Sequence, residues 1–173
     1  MKQHNLLIIG LIIFLTIVGG VFFLYKNKHG SLMMKQNESM MKKNEQKTQS
    51  NFEGNILAGN ASPYIAFNKA DYEKALRFEK VVFLDFYANW CPICRGEASE
   101  LKAGFDSLMT DRVVGFRVNY NDTDTDEEEK NLAKQFDITY QHTKVILKNG
   151  QRVLKDGESW NREKFLEEVN KVL

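Results

Sequence analysis

The chain has 173 residues, with 24 basic and 23 acidic side chains, and its formal net charge is +1. Residues 1–59 carry seven lysines against three glutamates, and the remainder carries 17 basic against 20 acidic residues. Neither part is basic enough to indicate binding of nucleic acid, and the length allows one domain of ordinary size together with additional segments.

Residues 1–25 are predicted to form a membrane anchor. Leu6–Tyr25 contains no charged residue and is rich in leucine, isoleucine, valine and phenylalanine. About twenty residues, at about 1.5 Å each, cross a hydrocarbon core of about 30 Å as one helix. A cleaved signal peptide is the competing interpretation, but no small-x-small cleavage site follows the run. We therefore expect a retained, single-pass transmembrane helix.

Residues 26–60 are predicted to form a flexible linker. They are rich in lysine, asparagine, glutamine, serine and methionine, and they show no apolar periodicity. Met33-Met34-Lys35 recurs further on as Met40-Met41-Lys42. We interpret this repeat as low-complexity spacer, and the alternative is that its thioether sulfurs bind Cu(I), which is a soft ion.

Residues 61–173 are predicted to form one α/β domain. Val81–Tyr87 is a near-continuous apolar run, which is typical of a strand that is covered on both faces. Asn149-Gly150 is a strong signal for a two-residue hairpin turn. In chain order we predict a strand at Tyr64–Phe67, a helix at Asn68–Phe78, the strand at Val81–Tyr87, a helix ending near Met109, a strand at Val113–Tyr120, a helix at Asp126–Phe136, a hairpin of Thr143–Lys148 with Arg152–Lys155, and a last helix capped by Asn161 or Ser159.

The only two cysteines of the chain, Cys91 and Cys94, directly follow the predicted strand at Val81–Tyr87 and its turn. A disulfide between them would close so small a loop that it would stabilise the fold little. A structural zinc site needs about four ligands, and no second pair of cysteine or histidine residues stands at a similar spacing. Residue 95 is an arginine, which excludes the c-type haem signature. The pattern therefore indicates a redox site.

The two thiols are expected to differ in reactivity. If Cys91 caps the helix that begins at Pro92, the unpaired N–H groups and the helix dipole favour its thiolate form. Cys91 is then the accessible thiol that attacks a substrate sulfur. Cys94 lies one turn further along and is predicted to be the protected, resolving thiol that breaks the mixed disulfide.

The stretch from Val81 to about Leu108 resembles the active-site strand and helix of the thioredoxin family. Its Trp-Cys-Pro-Ile-Cys segment, residues 90–94, is similar to the form found in membrane-tethered thioredoxin-like proteins. The resemblance covers about residues 61–173 and implies a thioredoxin-like fold with a central mixed β-sheet flanked by helices. It also implies a thiol–disulfide oxidoreductase that acts on protein disulfides and has an upstream redox partner. No cofactor is implied beyond the redox-active disulfide Cys91–Cys94.

The resemblance also suggests roles for residues outside the cysteine pair. Asp85 matches the buried aspartate that accepts a proton from the second cysteine in thioredoxins, and Arg117 stands where thioredoxins often carry a lysine. Cys94-Arg95-Gly96-Glu97 is similar to the Cys-Arg-x-Glu segment of extracytoplasmic thioredoxin-like reductases. This similarity favours net reduction over net oxidation of the substrate.

His142 stands where the family has a cis-proline. A cis peptide before a residue other than proline costs about 3 kcal/mol, so we expect a trans peptide here. The backbone of this loop then offers a poorer docking edge to a substrate peptide, while the imidazole faces the cysteines. Together with His142, the residues predicted to bind substrate are Trp90, Pro92, Ile93 and Thr143.

The alternative function is that of a copper-binding chaperone with Cys91, Cys94 and His142 as ligands. Copper chaperones with a thioredoxin-like fold also use two cysteines and one histidine, although their cysteines are three residues apart rather than two. The methionines of the predicted linker would then be accessory ligands.

The side of the membrane on which the domain lies is predicted from two opposed arguments. Five lysines between residues 26 and 43 follow the predicted span, against Lys2 before it, and the positive-inside rule alone would place the domain in the cytoplasm. Tethered relatives of the thioredoxin family generally work outside the cytoplasmic membrane. A domain whose only cysteines are the active pair also fits an oxidising compartment. We therefore expect an extracytoplasmic domain.

Overall fold

The computed structural model describes residues 52–173. The predicted membrane anchor at residues 1–25 and most of the predicted linker lie outside these residues. Within residues 52–173, no helix has both the length and the apolar character needed to span a membrane. The strands are β1 (Ile56–Ala58), β2 (Tyr64–Ala66), β3 (Val81–Tyr87), β4 (Val113–Asn119), β5 (Thr143–Lys148) and β6 (Gln151–Asp156), and the helices are α1 (Lys69–Arg77), α2 (Pro92–Ser107), α3 (Glu127–Gln135) and α4 (Arg162–Val172).

The six strands form one mixed sheet in the order β1-β2-β4-β3-β5-β6. β4 runs parallel to both β2 and β3, whereas β1 pairs with β2, β5 with β3 and β6 with β5 in antiparallel fashion. β3 therefore lies inside the sheet, and its first six residues are buried. This burial explains why its sequence is apolar at nearly every position rather than at alternate positions. The predicted mixed sheet flanked by helices is confirmed.

Each face of the sheet packs against two helices and has its own apolar core. On one face, Leu84 and Phe86 of β3 share a cluster with side chains of α1 and α3. On the other face, Phe83 packs with Phe105 of α2 and Phe165 of α4. The alternation along β3 follows the two-residue period of a strand, so Asp85 lies on the same face as Phe83 and points towards α2.

The local signals in the sequence account for most element boundaries. The side chains of Asn68 and Asn161 accept hydrogen bonds from Asp71 N and Lys164 N and cap α1 and α4. The turn at Asn149-Gly150 has φ values of 53° and 73°, the left-handed region that a two-residue hairpin requires at both positions. The hairpin register pairs Lys148 with Gln151.

The structured region begins earlier than predicted. β1 lies within residues 26–60, which the sequence analysis assigned to the linker, and it pairs with β2. The carboxylate of Asp71 accepts hydrogen bonds from the backbone N–H groups of Glu53 and Gly54, with its Oδ2 2.9 and 2.7 Å from the two nitrogens. These contacts fix the start of the segment to α1. The strand has only three residues and is never fully buried, which explains why no apolar pattern revealed it.

Candidate active site

The two cysteines lie where β3 runs into α2. Cys91 is the N-cap of α2 and Pro92 occupies its first turn, where a missing N–H removes no helical hydrogen bond. The sulfur of Cys91 accepts a hydrogen bond from the backbone N–H of Cys94 at 3.2 Å. Both cysteines are free thiols.

The prediction that Cys91 is the accessible thiol is wrong in this state. Only 2% of Cys91 and 3% of Cys94 is exposed, because Tyr87 and Ala88 pack against the two residues. The exposed part of the site is its rim, where Trp90 and Ile93 are each 51% exposed. Solvent access therefore does not distinguish the two sulfurs.

The surroundings of Cys94 determine its protonation. The pKa of Cys94 is raised to about 12, chiefly by burial and also by the hydrogen bond with Cys91 and the charges of Cys91 and Asp85. Cys94 is consequently a thiol near neutral pH. This state suits a resolving residue, which has to lose its proton only after a mixed disulfide has formed.

Asp85 lies beneath the dithiol and is only 3% exposed. The pKa of Asp85 is raised from 3.8 to about 6, chiefly by burial and also by the nearby Glu97 carboxylate. The Tyr64 hydroxyl, which donates to Asp85 Oδ2 at 2.6 Å, and the cations of Lys144 and Arg117 act in the opposite direction. A carboxyl group with this pKa can take up or release a proton close to physiological pH.

The Tyr64 contact crosses an intervening strand, and sequence reasoning missed it. Tyr64 is on β2 and Asp85 is on β3, with β4 between them. The Tyr64 side chain can pass over β4 because residue 115 is a glycine. A Cβ atom at this position would lie 2.8 Å from the Tyr64 ring, and closer still to Phe105, which is too close for either side chain to stay in place. A strand tyrosine opposite a strand glycine is the only sequence signal for this contact.

Charges of alternating sign lie side by side under the site. The register of the sheet places Arg117, Asp85, Lys144 and Asp156 opposite one another on four neighbouring strands. Residues paired in this way point to the same face of a sheet, which here is the face towards α2 and α4. The Arg117 guanidinium lies 5.0 Å from the centre of the Tyr87 ring. The predicted proximity of Arg117 to Asp85 is therefore present, and Lys144 flanks Asp85 on the other side.

The loop before β5 brings His142 to the sulfurs. Residues 52–173 contain no cis peptide bond, so the peptide before His142 is trans, and His142 itself has a left-handed φ of 51°. A ring nitrogen of His142 and the sulfurs of Cys91 and Cys94 all lie within 4.8 Å of one another. The Nδ1 atom is buried and has no hydrogen-bond partner among the residues that the structure describes. The imidazole thus faces the dithiol.

The predicted substrate-binding residues do not all face solvent. The exposed rim of the site consists of Trp90, Pro92 and Ile93. Tyr140 is 47% exposed, and its ring contacts the ring of His142. Thr143 is only 2% exposed, and its hydroxyl donates to Tyr140 O at 2.9 Å. The side chain of Thr143 therefore supports the loop and does not present itself to a substrate.

The rim is held by a loop to which sequence reasoning assigned no part in the site. Asp122 Oδ2 accepts a hydrogen bond from the backbone N–H of Asn89 at 2.8 Å. The indole N–H of Trp90 donates to the carbonyl of Asn121 at 3.0 Å. These two bonds fix the residues before Cys91 against the loop that follows β4.

Comparison with known proteins settles the family. The Thioredoxin family model matches residues 63–171. The chain belongs to the thioredoxin family. It is 30% identical to thioredoxin-1 of Caenorhabditis elegans over 114 residues, a match that covers 61% of this chain and 90% of that relative. It is 28% identical to thioredoxin-2 of Pyricularia oryzae over 86 residues, which cover 50% of this chain and 46% of the length of that relative.

A solved structure shows the same fold. The crystal structure of thioredoxin from Aeropyrum pernix has a TM-score of 0.53 with this chain, covers 70% of this chain and 96% of its own, and is 15% identical in sequence. At that identity the similarity concerns the fold alone. The order of strands and helices in this thioredoxin-family domain is thus found in a thioredoxin of very different sequence.

The copper alternative has only limited support. Cys91, Cys94 and His142 form the one group of potential metal ligands found among residues 52–173, and it supplies three ligands. The relatives described above are thioredoxins, which act through a redox-active disulfide, and nothing in the comparisons indicates a copper carrier. The thioredoxin-family assignment therefore supports a site without a cofactor.

We predict that Asp85→Asn removes a loss of folding stability that the parent shows as the pH rises. A pKa raised from 3.8 to about 6 means that the folded state binds the proton more tightly than the unfolded chain. This contribution is present below about pH 4 and lost as the pH rises through about 6, and it amounts to about 3 kcal/mol. The unfolding free energy of the reduced parent should therefore fall by about 3 kcal/mol between pH 4 and pH 8 because of Asp85, and this fall should be missing in the reduced variant.

Urea denaturation of both proteins at the two pH values measures this difference. Asp111→Asn, the same substitution at an exposed carboxylate, is the matched control. An Asp85→Asn variant whose stability differs from that of the parent by the same amount at pH 4 and pH 8 would contradict the assignment of the buried charge.

Proposed function

We propose that the protein is a membrane-tethered thiol–disulfide oxidoreductase that reduces protein disulfides through Cys91 and Cys94. The observation that carries this proposal is the arrangement of the dithiol. The Cys91 sulfur caps α2, and the thiol of Cys94, with its raised pKa, lies above a buried carboxyl group that titrates near pH 6.

In the first step, the Cys91 thiolate attacks one sulfur of the substrate disulfide. The substrate S–S bond breaks, a mixed disulfide forms with Cys91, and one substrate thiolate leaves and takes up a proton from solvent. The backbone N–H of Cys94, in the first turn of α2, donates a hydrogen bond to the Cys91 sulfur that makes this attack.

In the second step, Cys94 loses its proton to Asp85 and attacks the Cys91 sulfur. The mixed disulfide breaks, the second substrate thiolate leaves, and Cys91 and Cys94 form a disulfide, so two electrons have passed from the protein to the substrate. Both the hydrogen bond and the charge of Cys91 raise the pKa of Cys94 in the dithiol. Both causes weaken once Cys91 is bonded to the substrate, which makes the proton easier to remove at the moment when it must leave.

The cycle then needs an upstream redox partner that reduces the Cys91–Cys94 disulfide by the same exchange. Net reduction of the substrate is supported by the resemblance of residues 94–97 to the Cys-Arg-x-Glu segment of extracytoplasmic reductases. The substrate side is supported by the rim of Trp90, Pro92 and Ile93, which is the exposed apolar surface around two buried sulfurs.

The membrane location rests on the sequence before the domain. Leu6–Tyr25 is long and apolar enough to cross a bilayer, and tethered members of the family work outside the cytoplasmic membrane. The absence of any cysteine besides the active pair suits an oxidising compartment. The lysines that follow the apolar run favour the opposite orientation.

We predict that the two cysteines have different roles in trapping a substrate. With a peptide disulfide as substrate, Cys94→Ser should accumulate a covalent adduct at Cys91, because the resolving thiol is missing. Cys91→Ser, the reciprocal control, should form no comparable adduct, since Cys94 is protonated near neutral pH. Intact mass and peptide mapping at pH 7 identify the bonded residue. An adduct that accumulates at Cys94 in Cys91→Ser would reverse the assigned roles.

The orientation is tested with a cysteine placed on the surface, because the native sulfurs are buried. In a variant with Cys91→Ser and Cys94→Ser, we would introduce Met109→Cys, at a residue that is 78% exposed. Gln3→Cys, on the other side of the predicted span, is the matched control. A membrane-impermeant maleimide should label residue 109 in intact cells and residue 3 only after lysis. The reverse pattern would place the domain in the cytoplasm.

A further inference from the structure

Below the dithiol lies a buried ion pair between Glu97 and Lys144. Glu97 is on α2, one turn beyond Cys94, and Lys144 is on β5, two residues beyond His142. The side chain of Lys144 is fully buried and that of Glu97 is 2% exposed. Moving two such charges out of water costs several kcal/mol for each ion, and their attraction often does no more than offset this cost. Stability alone is therefore a weak explanation for the pair.

The contacts of the pair join three segments of the chain. The Lys144 ammonium has three N–H donors, and its acceptors are the Glu97 carboxylate, the carbonyl of His142 at 2.8 Å and the carbonyl of Glu158 at 2.6 Å. The Glu97 carboxylate also accepts a hydrogen bond from the backbone N–H of Trp160. One ion pair thus connects α2, the His142 loop and the segment that leads into α4.

The His142 backbone is held on both sides by these and neighbouring contacts. Its N–H donates to the carbonyl of Phe86 at 2.7 Å, and its carbonyl accepts from Lys144. A left-handed φ at a residue other than glycine costs of order 1 kcal/mol and persists only where the surroundings enforce it. Lys144 holds the carbonyl of His142 by a hydrogen bond, and it is itself paired with Glu97 of α2.

We propose that the Glu97–Lys144 pair is a positioning element for disulfide exchange, which holds the His142 loop and the start of α2 at the separation that a substrate peptide needs to reach Cys91. Neither residue touches the reacting sulfurs in this role. The proposal rests on the oxidoreductase function proposed above. It predicts that the pair matters more for exchange with a peptide disulfide than for folding.

The decisive variant is the neutral pair Glu97→Gln/Lys144→Met. Its glutamine keeps an acceptor for the Trp160 N–H, both buried charges are gone, and the carbonyl of His142 loses its donor. Each single variant leaves an unpaired buried charge and should be strongly destabilised, whereas the double variant should regain most of the lost melting temperature. Glu100→Gln is the matched control, since Glu100 also accepts a backbone N–H, that of Arg162, but is exposed and pairs with no lysine of residues 52–173.

Two second-order rate constants are measured for each reduced variant that circular dichroism shows to be folded. One is for a peptide disulfide, and the other is for a small aromatic disulfide that needs no docking loop. For the double variant we expect the peptide rate to fall by about 10-fold to 100-fold, the scale on which small misplacements act. The rate with the small reagent should stay close to the parent value, because it reports the attack by Cys91 and because Glu97 and Lys144, which shift the pKa of Asp85 in opposite directions, are neutralised together. Both rates for Glu100→Gln should stay at the parent value.

If the double variant is as stable as the parent and also reacts with the peptide disulfide at the parent rate, the pair is only structural and the proposal is overturned. An equal loss of both rates would overturn it as well, since the defect would then lie at Cys91 itself. A double variant that does not fold would also overturn the proposal, because the pair would then matter chiefly for folding. A parent protein without exchange activity would instead refute the proposed function.

Discussion

The buried carboxyl group of Asp85 is the constraint on which the rest of the site depends. An ionisable side chain inside a sheet needs partners, and this one has the hydroxyl of Tyr64 and the flanking cations of Arg117 and Lys144. These partners do not fully offset the burial, so the pKa of Asp85 stays at about 6. The group is therefore poised to exchange a proton near neutral pH, and its charge raises the pKa of Cys94.

The two cysteines are equally hidden from solvent, but their surroundings differ. The sulfur of Cys91 accepts a hydrogen bond at the start of the helix that it caps, whereas burial raises the pKa of Cys94. The order of events in exchange follows from this difference. His142 adds an imidazole that faces the dithiol, and the carbonyl of His142 accepts a hydrogen bond from the buried Lys144.

The sequence indicated the parts of the site that depend on local spacing. The strand at Val81–Tyr87, the cap at Cys91, the turn at Asn149-Gly150 and the trans peptide before His142 all follow from short-range rules. The contacts made through the sheet did not follow from such rules. Tyr64 reaches Asp85 only because Gly115 leaves room between them, and Lys144 looks like an ordinary polar residue of a strand until the register places it opposite Asp85. The burial of Cys91 and the short strand β1 were missed for the same reason, since both depend on what packs against them.

The central claim is that Asp85 takes the proton of the resolving thiol, and the rate of that step tests it most directly. The mixed disulfide of the parent and of Asp85→Asn would be formed with a peptide, and its release followed by rapid quench between pH 5 and pH 8. In the parent we expect release to accelerate as the pH rises through about 6, where Asp85 ionises. The variant should lack this rise and be slower by about 10-fold or more at pH 7, as for a lost general base. Equal release rates for the two proteins across this range would contradict the account and leave Asp85 with a structural role.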